Sequence, residues 1–248
     1  MAGGSGDRPA RRASDRGRYG RLSRERVLAA ALELVDREGL SALSMRRLGA
    51  ELGVEAMALY RYAAGKDSLL DGLVEALYLE LEERLAGGSD AGAQPPTDSG
   101  AFPWRAELQR IARALYDVCL AHPQVVPLLS TRMMAVPLAR RPLAVLRDHE
   151  RILLLLRKAG FDDASAAAVF RAYTAWVLGY VSVELRAMVD NPEESDPAFR
   201  LGLHRMPSQE LPVLRETAPA LAESGGPEGL SAGLDALLGR LAPADRTP

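Results

Sequence analysis

The chain has 248 residues, of which 48% are apolar and 26% charged, with a formal net charge of -2; these values are near globular averages and exclude wholesale disorder. The longest unbroken apolar runs, such as 152–156, are far shorter than the roughly 18–20 residues that cross a bilayer, and no signal-like apolar stretch opens the chain. The single cysteine, Cys119, excludes an intramolecular disulfide, so a reduced, cytoplasmic protein without membrane contact is expected. The near-neutral total hides an asymmetry: basic residues outnumber acidic ones in 1–66, and the reverse holds beyond. An anionic partner for the first part is one reading of that asymmetry, and a solubilising arginine-rich tail is the other.

In chain order, residues 1–21 are rich in Gly, Arg, Ser and Ala without periodicity and read as a disordered basic tail. A helix is predicted from Ser23, a cap residue, to Gly39, with Leu28, Ala31 or Leu32, and Val35 at helical spacing. A short second helix fits 45–52, with Ser44 as its cap and Gly53 after it. A third fits 56–62, where Leu59 is the inward position. A longer helix, 67–85, carries Leu70, Leu73, Leu77, Leu81 and Leu85. Three helices with a glycine turn between the second and third give the outline of a helix-turn-helix.

Residues 86–103 read as a flexible linker and the best domain boundary. Beyond it lie a helix striped by Trp104, Leu108, Ile111, Leu115 and Val118, then a break at His122-Pro123 and a short helix through Met134. Pro142 to Ala159 forms the next helix. The following one is capped by Asp162 or Asp163 and runs to about Met188. A polar loop over 190–207 and two last segments, near 207–223 and 230–241, complete the chain. No stretch alternates with period two, so the fold class is all-α.

The stretches Val27-Leu28-Ala29-Ala30-Ala31, Glu38-Gly39-Leu40, Leu43-Ser44-Met45-Arg46-Arg47-Leu48, Leu52-Gly53-Val54, Leu59-Tyr60-Arg61-Tyr62 and Gly65-Lys66-Asp67-Ser68-Leu69-Leu70 resemble the DNA-binding domain of the TetR family of transcriptional regulators, over about residues 22–75. The remainder resembles the family's C-terminal class through its helix count, His122-Pro123, and Gly179-Tyr180 followed by Glu184. The resemblance implies a helix-turn-helix domain at 22–66, a connecting helix at 67–85, and a ligand-sensing and dimerising domain at 104–242. It further implies that Tyr60 and Lys66 hold phosphates, that Arg46 reaches a base edge, and that Arg61 and Tyr62 add groove and backbone contacts. Ala56, Met57 and Ala58 then lead the recognition helix, where small apolar groups touch thymine methyls.

Each of these residues has a plainer reading. Tyr60 is otherwise a half-buried aromatic, one of Arg46 and Arg47 is a solvated charge, and Lys66 is an ordinary charge at a helix start. The tail arginines (Arg11, Arg12, Arg16, Arg18, Arg21) touch DNA or are free charge. In the helix beginning at Asp163, Tyr173, Trp176 and Tyr180 share a face, and with Trp104 they are the candidate ligand contacts; core packing is their alternative. Gly179 within that helix suggests a close backbone approach.

His122, His149 and His204 have no partner at metal-ligand spacing, no phosphate loop is present, and Cys119 reads as core. No catalytic residue, metal or cofactor is therefore expected. The expectation is a homodimeric repressor on a palindromic operator in double-stranded DNA, released by a small-molecule effector. The alternatives are an activator of the same fold, or a helical small-molecule enzyme or binding protein.

Overall fold

The computed structural model describes residues 22–87, 103–185, 202, 205, 207, 210–223 and 225–241, and no strand occurs among them. The basic tail at 1–21, nearly all of the 86–103 linker, His204 and most of the 190–207 loop lie outside the described residues.

Local hydrogen bonds set the first elements. Helix α1 (Arg24–Glu38) starts where the Ser23 hydroxyl accepts from the Arg26 amide at 3.2 Å, and ends at Gly39, whose amide donates to the Val35 carbonyl. Its face of Val27, Ala31, Leu34 and Val35 is wholly buried. Helix α2 (Met45–Leu52) repeats the device, with the Ser44 hydroxyl accepting from the Arg47 amide at 3.1 Å. Gly53 closes it in the left-handed region at φ 66°, the conformation glycine adopts without steric cost.

Helix α3 (Ala56–Leu59) is shorter than the 56–62 expected. The Tyr62 and Ala63 amides both donate to the Leu59 carbonyl, at 2.8 and 3.0 Å, so the chain tightens into a turn there. Leu48, Leu52 and Leu59 fill the space between α1, α2 and α3.

Helix α4 (Lys66–Gly87) outruns the expected 67–85 at both ends. It packs on α1, and also on the helices of the second part: α5 (Trp104–Ala121), α6 (Val126–Ala135) and α7 (Leu143–Lys158). Helix α8 (Asp163–Glu184) lies against α6 and α7, and α10 (Gly226–Leu238) lies across α5 and α8. Helix α9 (Pro212–Ala222) buries little besides Ala218. One apolar cluster runs through both parts, from Val27 to Leu238.

Asp162 caps α8 by accepting from the Ser165 amide at 2.7 Å. By length and composition α8 is apolar enough to span a bilayer, which a search for unbroken apolar runs misses. Its Ala166, Val169, Tyr173, Val177 and Val181 form one stripe buried against neighbouring helices, while its opposite face stays largely open.

Gly49 fixes how closely α3 follows α2. A Cβ there would stand 2.8 Å from the Val54 carbonyl oxygen and 3.3 Å from the Ala56 nitrogen, both backbone atoms that cannot swing aside. Gly49→Ala should therefore lower unfolding stability by about 1–3 kcal/mol, read as a lower urea midpoint at unchanged slope.

Candidate nucleic-acid interface and open cavity

The first three helices sort their basic side chains into two groups. Arg47 is tied to Glu38, Nη2 to Oε1 at 2.6 Å and Nε to Oε2 at 3.2 Å, and approaches Glu51 at 3.6 Å. Arg37 pairs with Glu51 at 3.1 Å, and Arg24 with Glu75 at 2.6 Å. The Arg47 guanidinium holds the Glu38 carboxyl below the usual carboxylate range. Arg46, Arg61 and Lys66 are exposed and have no ion-pair partner among the described residues.

These three cations belong to the module that also exposes Met57 (76%) and Tyr60 (47%), with Ala56 and Ala58 half-buried. Arg46 stands on the first turn of α2, and Lys66 opens α4, where the leading amides of a helix lack acceptors of their own. Cations, a phenol, free amides and a protruding apolar tip suit a phosphate-lined groove. Of the pair left open by the sequence, Arg47 is the structural one. Tyr62 also leaves the predicted set. Its hydroxyl donates to the Leu22 carbonyl at 2.8 Å and its ring packs on the core, so it holds the lead-in to α1.

In the second part, three of the four aromatic residues expected to meet a ligand hydrogen-bond a neighbouring helix, and the fourth, Trp104, packs on the turn before α8. The Trp176 indole N–H donates to the Leu230 carbonyl at 3.2 Å, and the Tyr180 hydroxyl to the Gly226 carbonyl at 2.8 Å. The Tyr173 hydroxyl reaches the Leu108 carbonyl at 3.3 Å. Trp176 lies so close to Gly233 that any Cβ there would overlap its ring. Trp104 stands edge-on to Phe161, with ring centroids 5.1 Å apart and the Arg105 guanidinium 4.8 Å from its own centroid. Helix α10 covers the face of α8 that the sequence offered to a ligand.

The adjoining face of α8 borders a cavity of about 510 Å³. Phe170, Thr174, Leu178 and Ser182 of α8 line it, with Met133 of α6 and Arg141 from the following turn. The Arg141 guanidinium donates to the Met133 and Val136 carbonyls, which fixes that rim. The Ser182 hydroxyl is buried with no hydrogen-bond partner among the described residues. Arg171, Ala175, Gly179 and Val183 are exposed along the same wall, so the cavity opens to solvent. Gly179 is not the close approach expected, since a Cβ there would meet nothing within 4 Å. The hydroxyls of Thr174 and Ser182 on an apolar face were the sequence signal for this wall.

Against Phe170, at 5.0 Å between ring centroids, stands His149. His149 and its neighbour Asp148 are buried, and both imidazole nitrogens and Asp148 Oδ1 lack hydrogen-bond partners. Burial pushes the Asp148 carboxyl up to about 6, partly offset by Arg151, and pushes the His149 imidazole down to about 4. Cys119 is buried core, and no cluster of His, Cys, Asp or Glu among the described residues could hold a metal ion.

Comparison with known proteins agrees with both halves of this geometry. Residues 27–73 match the model for bacterial regulatory proteins of the tetR family, and residues 95–239 match the tetracyclin repressor-like C-terminal domain. An HTH-type transcriptional regulator of Saccharopolyspora erythraea is 32% identical over 80% of this chain and 76% of its own. The HTH-type transcriptional repressor DrrR1 of Streptomyces coeruleorubidus is 32% identical over 70% of this chain, and the match spans 58% of that protein's length. Among solved structures, the TetR family protein ActR of Streptomyces coelicolor in complex with actinorhodin superimposes with a TM-score of 0.65. It is 26% identical, with 90% of this chain and 97% of that one covered.

The Asp148–His149 neighbours give a pH test of the interior. A carboxyl whose folded value lies above its unfolded one loses stabilisation as pH rises between the two, here from about 4 to about 6. Asp148→Asn should therefore match the wild type at pH 4 and exceed it by about 2 kcal/mol at pH 7, in urea unfolding at both pH values. An advantage equal at both pH values would show that Asp148 does not titrate in this window.

Proposed function

Because this chain belongs to the TetR family of bacterial transcriptional regulators, we propose that it represses transcription in the cytoplasm by holding a palindromic operator as a homodimer and releases it when a small molecule fills the α6–α8 cavity. The observation that carries the DNA half is the sorting of charge: every other described basic residue of α1 and α2 has a partner, while Arg46, Arg61 and Lys66 are exposed without an ion-pair partner among the described residues. A single such module makes few base contacts, and two-fold pairing doubles them. It would set the two recognition helices about 34–36 Å apart, one turn of DNA.

The release half rests on what α6 touches. Ser130 and Met133 line the cavity, and Arg132 between them points to α4. Its Nε donates to Asp71 Oδ1 at 2.8 Å and its Nη2 to the Asp67 carbonyl at 3.1 Å, next to Lys66. A molecule that shifts α6 moves this guanidinium, and with it the start of α4. Such a ligand must favour the DNA-incompetent state, and operator DNA then weakens the ligand by the same factor. The ligand-bound structure of ActR supports a family body that accepts small molecules.

Gel shifts with the DNA upstream of the protein's own gene test the reading directly. Arg46→Ala should cost about 1–3 kcal/mol on the selected operator and relax one position per half-site. Lys66→Ala should weaken binding on all sequences and lower the salt slope by about 1. Leu178→Trp, which places an indole in the cavity, should bind operator as tightly as wild type and fail to release it with any effector that works on the wild type. Failure of the wild type to bind any duplex at low salt would sink the proposal.

A further inference from the structure

Beside Arg132, a second polar tie joins the two parts, and neither the motif nor the cavity uses it. His122 ends α5, with its side chain 16% exposed. Its Nδ1 lies 2.6 Å from Asp36 Oδ2 of α1, and its Nε2 lies 2.9 Å from Glu80 Oε2 of α4. One ring thus touches the DNA-binding module and the connecting helix while belonging to the body. The turn 123–125 that follows it packs on α1 as well.

A neutral imidazole offers one N–H and one lone pair. Set between two carboxylate oxygens, it donates to one and turns its lone pair on the other. Both contacts are attractive when each nitrogen carries a proton, or when one acid does. The surroundings sharpen this need for a proton. From α1, Glu33 adds a second negative charge near Asp36. From α4, Arg84 donates to Glu80 through Nε at 3.0 Å and Nη2 at 2.8 Å. From α5, Cys119 is buried nearby and uncharged at neutral pH. Burial pushes the Asp36 carboxyl up, against the pull of His122, and its Oδ1 is buried without a partner. Glu80, although burial pushes it up, is held below its usual range by Arg84 and His122.

We infer that His122 is a positioning residue whose imidazolium, bridging Asp36 and Glu80, fixes the helix-turn-helix module against the body in the arrangement that binds DNA, so that loss of one proton from this triad loosens the module. The inference rests on the DNA-binding reading for its consequence, while the bridge itself exists without DNA. It makes operator affinity depend on pH through a residue that touches no nucleotide. The range from pH 6 to 9 covers the upper part of the interval, about pH 5 to 8, over which an imidazole ordinarily changes charge.

The test uses the full-length protein, its His122→Gln variant, which keeps polarity without charge, and His122→Arg, which restores a permanent cation with several donors. Operator affinity by fluorescence anisotropy is followed from pH 6 to 9 at constant ionic strength, beside amide hydrogen exchange of α1 in the DNA-free protein, corrected for intrinsic rates. Wild-type affinity should fall about tenfold across this range, within the usual scale of coupling between sites. His122→Gln should bind about tenfold more weakly at pH 6 and show little further change, whereas His122→Arg should keep the pH 6 affinity up to pH 9. Exchange at the end of α1 should quicken in the same pattern. If His122→Gln retains the wild-type pH profile, or His122→Arg behaves as His122→Gln does, the inference fails. If the exchange pattern appears but no operator binding occurs for any variant, the bridge stands and the DNA-binding reading falls. Equal, tight operator binding with no exchange pattern has the opposite meaning.

Discussion

Helix α4 is enclosed from both directions: α1 packs on it from the DNA-binding module, and α5, α6 and α7 pack on it from the body. Leu69, Leu73, Leu77 and Leu81 are fully buried along its 22 residues, a rod of about 33 Å at 1.5 Å per residue. The consequence is one continuous interior instead of two domains on a slack tether. Packed interiors transmit displacement because they have no free volume to absorb it. Under the proposed release, a change at the cavity wall would reach Lys66 through this packing without a separate hinge. The polar ties at Arg132 and His122 join the body to the same helix, at Asp71 and Glu80.

Much of this architecture was legible in the sequence, for a local reason. The starts of α1 and α2 depend on Ser23 and Ser44 bonding amides three residues away, and the turn depends on Gly53, so short-range patterns were enough. The candidate interface was legible as a set of positions: Arg46, Met57, Tyr60, Arg61 and Lys66 all emerge exposed on one module. What the residue pattern did not carry was which arginine has a partner. That depended on Glu38, nine residues from Arg47 and on another helix.

The body was less legible because α8 has apolar residues on two faces, and periodicity alone does not say which face meets a neighbour. The choice is made by Gly229 and Gly233, 49 and 57 residues after the Tyr180 and Trp176 that their missing side chains admit. Aromatic residues look like ligand contacts in a list of residue types; here they brace α10 instead. His122 shows the same limit, since its two carboxylate partners lie 86 and 42 residues away. Sequence reading identified the helix end at that position but not the bridge formed there.

The ion pairs that occupy Arg37 and Arg47 have a kinetic consequence for a protein that must find one site in a genome. Attraction to arbitrary DNA scales with the number of phosphates neutralised, and each added contact prolongs residence at the wrong address. By pairing these two arginines with Glu38 and Glu51, and by carrying a net negative body behind the module, the chain leaves Arg46, Arg61 and Lys66 as the unpaired cations among the described residues of the module. On the proposed function, fewer unpaired cations shorten encounters with unrelated sequence and leave more of the time on DNA for positions where the base contacts also fit. Genomic competitors number in the millions, so this restraint on weak binding matters to occupancy as much as the strength of the specific complex.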